Sequence, residues 1–231
     1  MALILNGGFL MVERNDTSSD PHQGQPVRAF GEPLQSAQAA MLMVHGRGAR
    51  SEDILTLADQ FGQRGFAFLA PQAANNTWYP NRFLAPLLDN EPWLSSAILF
   101  LDRALTQILD SDIPADHIIL LGFSQGACLT LEFAARHAQR YGGLIGLSGA
   151  LIGPEDTLRQ YPGSLAGTPV FLGCSDTDPH VPKEYVNQTA EVLRGLGGQV
   201  TEQLYPNLDH SVNQDEIDFV RGVMQRVLAD S

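Results

Sequence analysis

The sequence predicts an α/β fold, with a mostly parallel central sheet and helices on both of its faces. Three observations carry that prediction. Short apolar runs alternate along the chain with segments whose apolar residues recur at three- and four-residue spacing. The apolar runs lack the in-out alternation of a sheet that is wet on one face, so their strands are covered on both sides. No linker, composition shift or internal repeat divides the 231 residues, so residues 1–231 read as one domain.

At the N-terminus, apolar residues 2–5 and 9–12 flank Asn6-Gly7-Gly8, a hairpin signal, and residues 13–26 are polar. Residues 1–38 therefore read as a hairpin and loop preceding the sheet. The first central strand is Ala39–Val44, an unbroken apolar run ending at His45-Gly46-Arg47-Gly48. Ser51 and Asp53 open a helix in which Ile54, Leu57, Ala58 and Phe61 share a face. Residues 66–70 form a strand stopped by Pro71. Trp93–Leu109 is a helix with Ile98, Leu101, Leu105 and Ile108 on one side. A buried strand at 117–121 runs through a glycine-rich turn into an apolar helix at 126–138. Gly143–Leu147 and residues 170–173 are further strands. A helix at 185–196, a strand at 200–205 and a helix at 217–228 close the chain, the last with Val220, Met224 and Val227 facing inward.

Composition excludes several function classes. The formal charge of −12 is wrong for binding nucleic-acid phosphates, and the single lysine, Lys183, rules out a lysine-built membrane patch. No apolar stretch is long enough to span a bilayer, and the apolar N-terminus lacks the basic flank of a signal peptide. Cys128 and Cys174 read as two buried thiols rather than a disulfide framework. These features imply a cytoplasmic protein, a monomer or homodimer, with no nucleic-acid partner and no integral membrane association. No cofactor is expected, because the chain has neither a phosphate-binding glycine loop nor a clustered metal-ligand pattern.

Chemistry is concentrated in Gly122-Phe123-Ser124-Gln125-Gly126, which is Gly-x-Ser-x-Gly between a strand and a helix. In that context the serine sits on a cramped turn where only glycines let the backbones approach, and the helix N-terminus faces any developing anion. Ser124 is thus a candidate nucleophile, and a nucleophilic serine needs a base oriented by an acid. In the α/β-hydrolase fold the chain order is Ser, acid, His, each at a strand's carboxyl end. Downstream, an acidic loop with Asp176 and Asp178 follows one strand, and Asp209-His210-Ser211 follows the next.

Gly122-Phe123-Ser124-Gln125-Gly126, Asp178-Pro179-His180-Val181-Pro182 and Asp209-His210-Ser211 together resemble the phospholipase/carboxylesterase family of α/β-hydrolases. The resemblance runs from about Ala39 to the C-terminus. It implies an α/β-hydrolase fold without a large lid, hydrolysis of a small-molecule carboxylic ester, Asp178 as the acid and His210 as the base. Asp176 is the reserve acid, two residues away on the same turn. The oxyanion donors expected from this likeness are the backbone N–H groups of Gln125 and Arg47, the latter in a His-Gly-x-Gly segment where the family usually carries Leu. The Arg47 side chain is either solvated or in contact with substrate. His45 reads as a structural hydrogen-bonding residue, His180 as a rim residue, and His22, His117 and His137 as isolated. Trp78, Tyr79 and Phe83 on the long aromatic loop, with Trp93 and Leu151, are expected to wall an apolar substrate groove. Two other functions share these residues: thioester hydrolysis or acyl transfer on the same triad, and non-catalytic ligand binding by a protein that keeps the fold. An intact Ser124, Asp178 and His210 speaks against the last.

Overall fold

The structure is a computed structural model that describes residues 20–62 and 64–229. The hairpin expected at residues 2–12 lies outside the described residues. Seven strands form one sheet: β1 (Val27–Gly31), β2 (Ala39–Val44), β3 (Phe66–Pro71), β4 (Ile118–Phe123), β5 (Gly143–Leu147), β6 (Pro169–Ser175) and β7 (Gln199–Tyr205). Their order is β1-β3-β2-β4-β5-β6-β7, with β1 antiparallel to β3 and every other pair parallel. Five helices cover the sheet: α1 (Ser51–Phe61), α2 (Trp93–Leu109), α3 (Gln125–Arg136), α4 (Lys183–Gly195) and α5 (Gln214–Ala229). This is the α/β-hydrolase fold expected from the sequence, with no large lid among the described residues. None of the helices described is long and apolar enough to cross a membrane.

Strand periodicity divides the core into two layers. Ala40, Leu42 and Val44 of β2 and Leu120 of β4 pack with α2, α3 and α4. Their neighbours Ala39, Met41, Met43 and Leu121 pack with α1 and α5 on the opposite face. Every residue of β2 and of β5 is buried, which is why these strands read as continuous apolar runs.

β1 corrects the reading of residues 1–38 as hairpin and loop only. Val27–Gly31 is an edge strand whose last four residues are exposed. It carries no buried apolar run to announce it, and its partner β3 supplies the pairing.

Topology then fixes where a site forms. From β2 the chain winds outward to β3, then returns past β2 to β4 and winds the other way. Strand order reverses between β2 and β4, and the crevice beyond the carboxyl ends at such a point is where ligands bind in open α/β sheets. Val44 and Gly122 are register partners there, so the loops carrying Arg47 and Ser124 leave the sheet side by side.

Candidate active site

Ser124 stands between the end of β4 and the first residue of α3, with φ 54° and ψ −122°. A non-glycine residue is rarely held there, and such strain clusters at functional sites. The flanking glycines make the turn possible. A Cβ on Gly122 would lie 2.3 Å from Gly126 O, and a Cβ on Gly126 would lie 2.1 Å from Val44 O. The turn is tied down by Ser124 N–H donating to Leu147 O (2.9 Å) and Cys128 N–H donating to Ser124 O (3.0 Å).

The loops after β6 and β7 bring two partners to this serine. His210 Nε2 lies 2.8 Å from Ser124 Oγ, and His210 Nδ1 lies 2.6 Å from Asp178 Oδ2. The Asp178 side chain is fully buried, whereas that of His210 keeps 19% exposure. Burial alone would raise the Asp178 pKa, but the bond from His210 and those from His180 N–H (2.8 Å) and Val181 N–H (2.9 Å) outweigh it and hold the carboxyl below its ordinary value. An ionised carboxylate only accepts, so Nδ1 carries the proton and Nε2 is left to accept from the serine hydroxyl. Asp176 is used elsewhere: its Oδ1 accepts from Asn207 N–H (2.9 Å), stitching the acid loop to the His loop. The structure therefore brings Asp178, not the reserve Asp176, to the imidazole. His180 stands edge-on to His210 with ring centres 4.9 Å apart, at the rim as expected.

Arg47 and Gln125, the two expected oxyanion positions, flank the serine. Gly46 lies against it, since a Cβ there would sit 3.4 Å from Ser124 Cβ, and Gln125 is the first residue of α3, whose opening N–H groups have no partner within the helix. Their side chains have a shared task that the sequence did not reveal. The Arg47 guanidinium donates to three successive carbonyls, Tyr79 (2.9 Å), Pro80 (2.9 Å) and Asn81 (2.6 Å). The buried Gln125 amide accepts from Trp78 N–H (3.0 Å) and donates to Tyr79 O (2.8 Å). Arg47 is thus neither merely solvated nor free to reach substrate with those donors. It clamps the aromatic loop.

A cleft of about 550 Å³ opens above Ser124. Tyr79 and Phe83 line it as expected, together with Pro80, Asn81, Arg82, Cys128, His180 and Val181. Cys128 was legible in principle, one helical turn beyond the serine on α3. Burial pushes its thiol up to about 12, so it is a neutral wall group and no rival nucleophile.

Three expected wall residues are corrected. Trp78 is fully buried beneath the loop: its indole N–H donates to His45 O (2.8 Å) and its ring packs with those of His22, His45 and Phe100. Trp93 lies outside the lining, edge-on to His22 at 5.5 Å in the first turn of α2. Leu151 is also buried away from the cleft. Its N–H donates to Thr189 Oγ1 (2.9 Å), and the segment it begins is anchored to buried Glu132, which accepts from Ile152 N–H (3.3 Å) and Tyr161 Oη (3.0 Å).

His45 is structural, as anticipated. Its Nδ1–H donates to Gly46 O (2.8 Å) and its Nε2 accepts from Ala73 N–H (3.1 Å), with burial lowering its pKa and keeping it neutral. His22, read as isolated, does the same between Trp78 O and Ala74 N–H and nucleates the aromatic layer under the loop. Among the described residues, no group of three His, Cys, Asp or Glu side chains is gathered to hold a metal ion.

Comparison with known proteins places this geometry in context. The profile of the phospholipase/carboxylesterase family matches residues 28–228. The crystal structure of a phospholipase/carboxylesterase from Dyadobacter fermentans superposes with a TM-score of 0.84 at 39% identity, covering 87% of this chain and 96% of that one. Acyl-protein thioesterase 1 of Gibberella zeae is 33% identical over 138 residues, which span only 56% of each chain. Acyl-protein thioesterase 1 of Emericella nidulans is 27% identical over 222 residues, 84% of this chain and 92% of the relative.

Proposed function

The chain belongs to the phospholipase/carboxylesterase family of α/β-hydrolases, and from that premise we propose that it is a serine esterase that cleaves carboxylic esters through an acyl-enzyme on Ser124. The observation that carries the reading is the continuous relay Ser124 Oγ–His210 Nε2 (2.8 Å) and His210 Nδ1–Asp178 Oδ2 (2.6 Å), at the mouth of a cleft.

In this mechanism Ser124 Oγ attacks the ester carbonyl as its proton passes to His210 Nε2. Asp178 holds the imidazole tautomer and stabilises the imidazolium that forms. The N–H groups of Gln125 and Arg47 receive the developing oxyanion, a type of contact worth about 3 kcal/mol per donor in the transition state. Collapse expels the alkoxide, which takes the proton from Nε2. Water then attacks the acyl-enzyme with His210 again as base, releasing the acid and free Ser124. A thioester enters by the same first step, and the thioesterase relatives favour testing one.

An organophosphonate should attach once per chain, at Ser124, and abolish turnover of a simple chromogenic ester. Ser124→Ala and His210→Ala should each lose roughly 10⁴- to 10⁶-fold in kcat while folding normally, whereas His180→Ala should lose far less. Intact mass and peptide mapping decide it. Label on another residue, or full activity in Ser124→Ala, would end the serine-hydrolase reading.

A further inference from the structure

The cleft wall has a charge pattern opposite to that of the molecule. The protein carries a formal charge of −12. Yet among the described residues the cleft is lined by two arginines, Arg47 and Arg82, and two histidines, with no Asp or Glu in the lining. Asp178 lies behind His210, fully buried and bonded to it. Glu132 is buried and paired with Arg136 and Arg159. Asp89 and Asp209, on flanking loops, are not part of the wall.

The two arginines differ in what they have left to offer. Both Arg47 terminal nitrogens donate to the carbonyls of residues 79–81, so its positive charge remains but its fork is occupied. Arg82 sits on the same rim with an exposed side chain, and no ion pair or side-chain hydrogen bond holds its guanidinium among the described residues. Its backbone, by contrast, is built in. The fully buried Asn90 accepts from Asn81 N–H (2.9 Å) and donates to Arg82 O (3.4 Å), and Phe83 O accepts from Gly153 N–H (2.7 Å). The scaffold thus fixes the backbone from which Arg82 projects at the mouth of the cleft, and leaves its guanidinium without a partner among the described residues.

We propose that the natural substrate is a small ester carrying a carboxylate away from the scissile bond, and that Arg82 is the residue that recognises that carboxylate. This rests on the esterase reading and adds its substrate class. A planar guanidinium takes a carboxylate through two parallel N–H···O bonds. The positive potential of Arg47 beside it favours the same sign of ligand. A neutral ester of equal size lacks both attractions.

The test uses the full-length enzyme and two pairs of esters differing only in carboxylate against carboxamide. One pair, monoethyl glutarate and ethyl glutaramate, puts the anion on the acyl half. The other, carboxymethyl butyrate and carbamoylmethyl butyrate, puts it on the alcohol half. The readout is the ratio of kcat/KM within each pair, by chromatography of the products. In at least one pair the wild type should prefer the carboxylate about tenfold at low salt, with the preference shrinking as salt rises. Arg82→Gln should bring that ratio to about one, and Arg82→Lys should restore part of it, with unchanged melting temperature in both. Equal or better use of the amides in both pairs, or a preference that survives Arg82→Gln, overturns the proposal while leaving esterase activity standing. Failure to turn over 4-nitrophenyl butyrate as well would instead bring down the esterase reading beneath it.

Discussion

Glu216, in the first turn of α5, is a carboxylic acid placed where water does not reach. Its Oε2 accepts from Asn213 N–H (2.9 Å) while Asn213 Oδ1 accepts from Glu216 N–H (3.0 Å), the reciprocal exchange of a capping box. Its Oε1 is buried against Gly173 of β6 with no partner among the described residues. Burial pushes the carboxyl up to about 7, against the opposing bond from Asn213 and with help from Asp215. Because the folded state holds the proton more tightly than the unfolded chain, this group favours folding fully at pH below about 4.5. That contribution is lost as pH rises through about 7. Glu216→Gln keeps the acceptor for Asn213 and cannot ionise. The stability of wild type relative to Glu216→Gln should therefore fall by about 1–3 kcal/mol between pH 4.5 and 8, read from urea unfolding at each pH. A flat difference across that range would show that Glu216 titrates normally. The sequence pattern put Val220, Met224 and Val227 on the buried face, and a helical step back from Val220 lands on Glu216. Only its charge concealed it. Ser124 was legible for the opposite reason, since it lies in a short motif at a strand end that constrains it locally. Chain order gave only the acid loop and the His loop, and the family resemblance singled out Asp178 and His210 on them.

At the scale of elements, strands and helices with one-sided or fully apolar patterns were readable to within a few residues, and α2 and β2 to the residue. What escaped was structure that owes its place to a partner. β1 is exposed and exists because β3 offers an edge, and the loop at residues 77–83 is shaped by side chains far away in sequence. An aromatic residue on such a loop points into the cleft or under it according to those anchors, which composition does not encode. Hence Tyr79 and Phe83 line the cleft while Trp78 fills the core. The anchors also separate two effects that mutation can distinguish. Gln125→Ala leaves the buried Trp78 N–H without its partner, while Tyr79 O keeps Arg47 and Thr77 as donors, so the change should cost about 1–3 kcal/mol of stability. Arg47→Ala frees the exposed side of the loop, so stability should change by less than about 1 kcal/mol. Its effect should instead be a several-fold higher KM across an ester panel. Arg47→Lys should not repair it, because an ammonium cannot span three carbonyls as the planar fork does. An Arg47→Ala enzyme with wild-type KM values would show that the clamp has no bearing on the cleft.

At the scale of the whole molecule, one sheet is shared by two apolar layers, and alternate residues of each central strand serve alternate layers. This predicts that the two faces melt together, because neither layer can lose its side of β4 without loosening the other. Leu120 and Leu121 are adjacent, both essentially unexposed, and belong to opposite layers. Replacing either by Ala removes similar volume and should cost about 2–5 kcal/mol. In a chain of this size that lowers Tm by about 4–20 °C. The chain's two tryptophans make the experiment discriminating. Trp78 is in the layer with α2, α3 and α4, and Trp93 packs against that same layer. Tryptophan fluorescence therefore reports one face, while far-ultraviolet circular dichroism reports helices on both. In Leu121→Ala the lesion lies on the face that fluorescence does not see. If the sheet couples the layers, both signals shift to the same lower midpoint and ester turnover disappears with them, since Ser124 stands at the end of the damaged strand. If α1 and α5 peel away alone, dichroism falls first while fluorescence holds its wild-type midpoint. That separation would break the single-unit reading of the chain, and Leu120→Ala, which strikes the fluorescent face, supplies the control in which both probes must move.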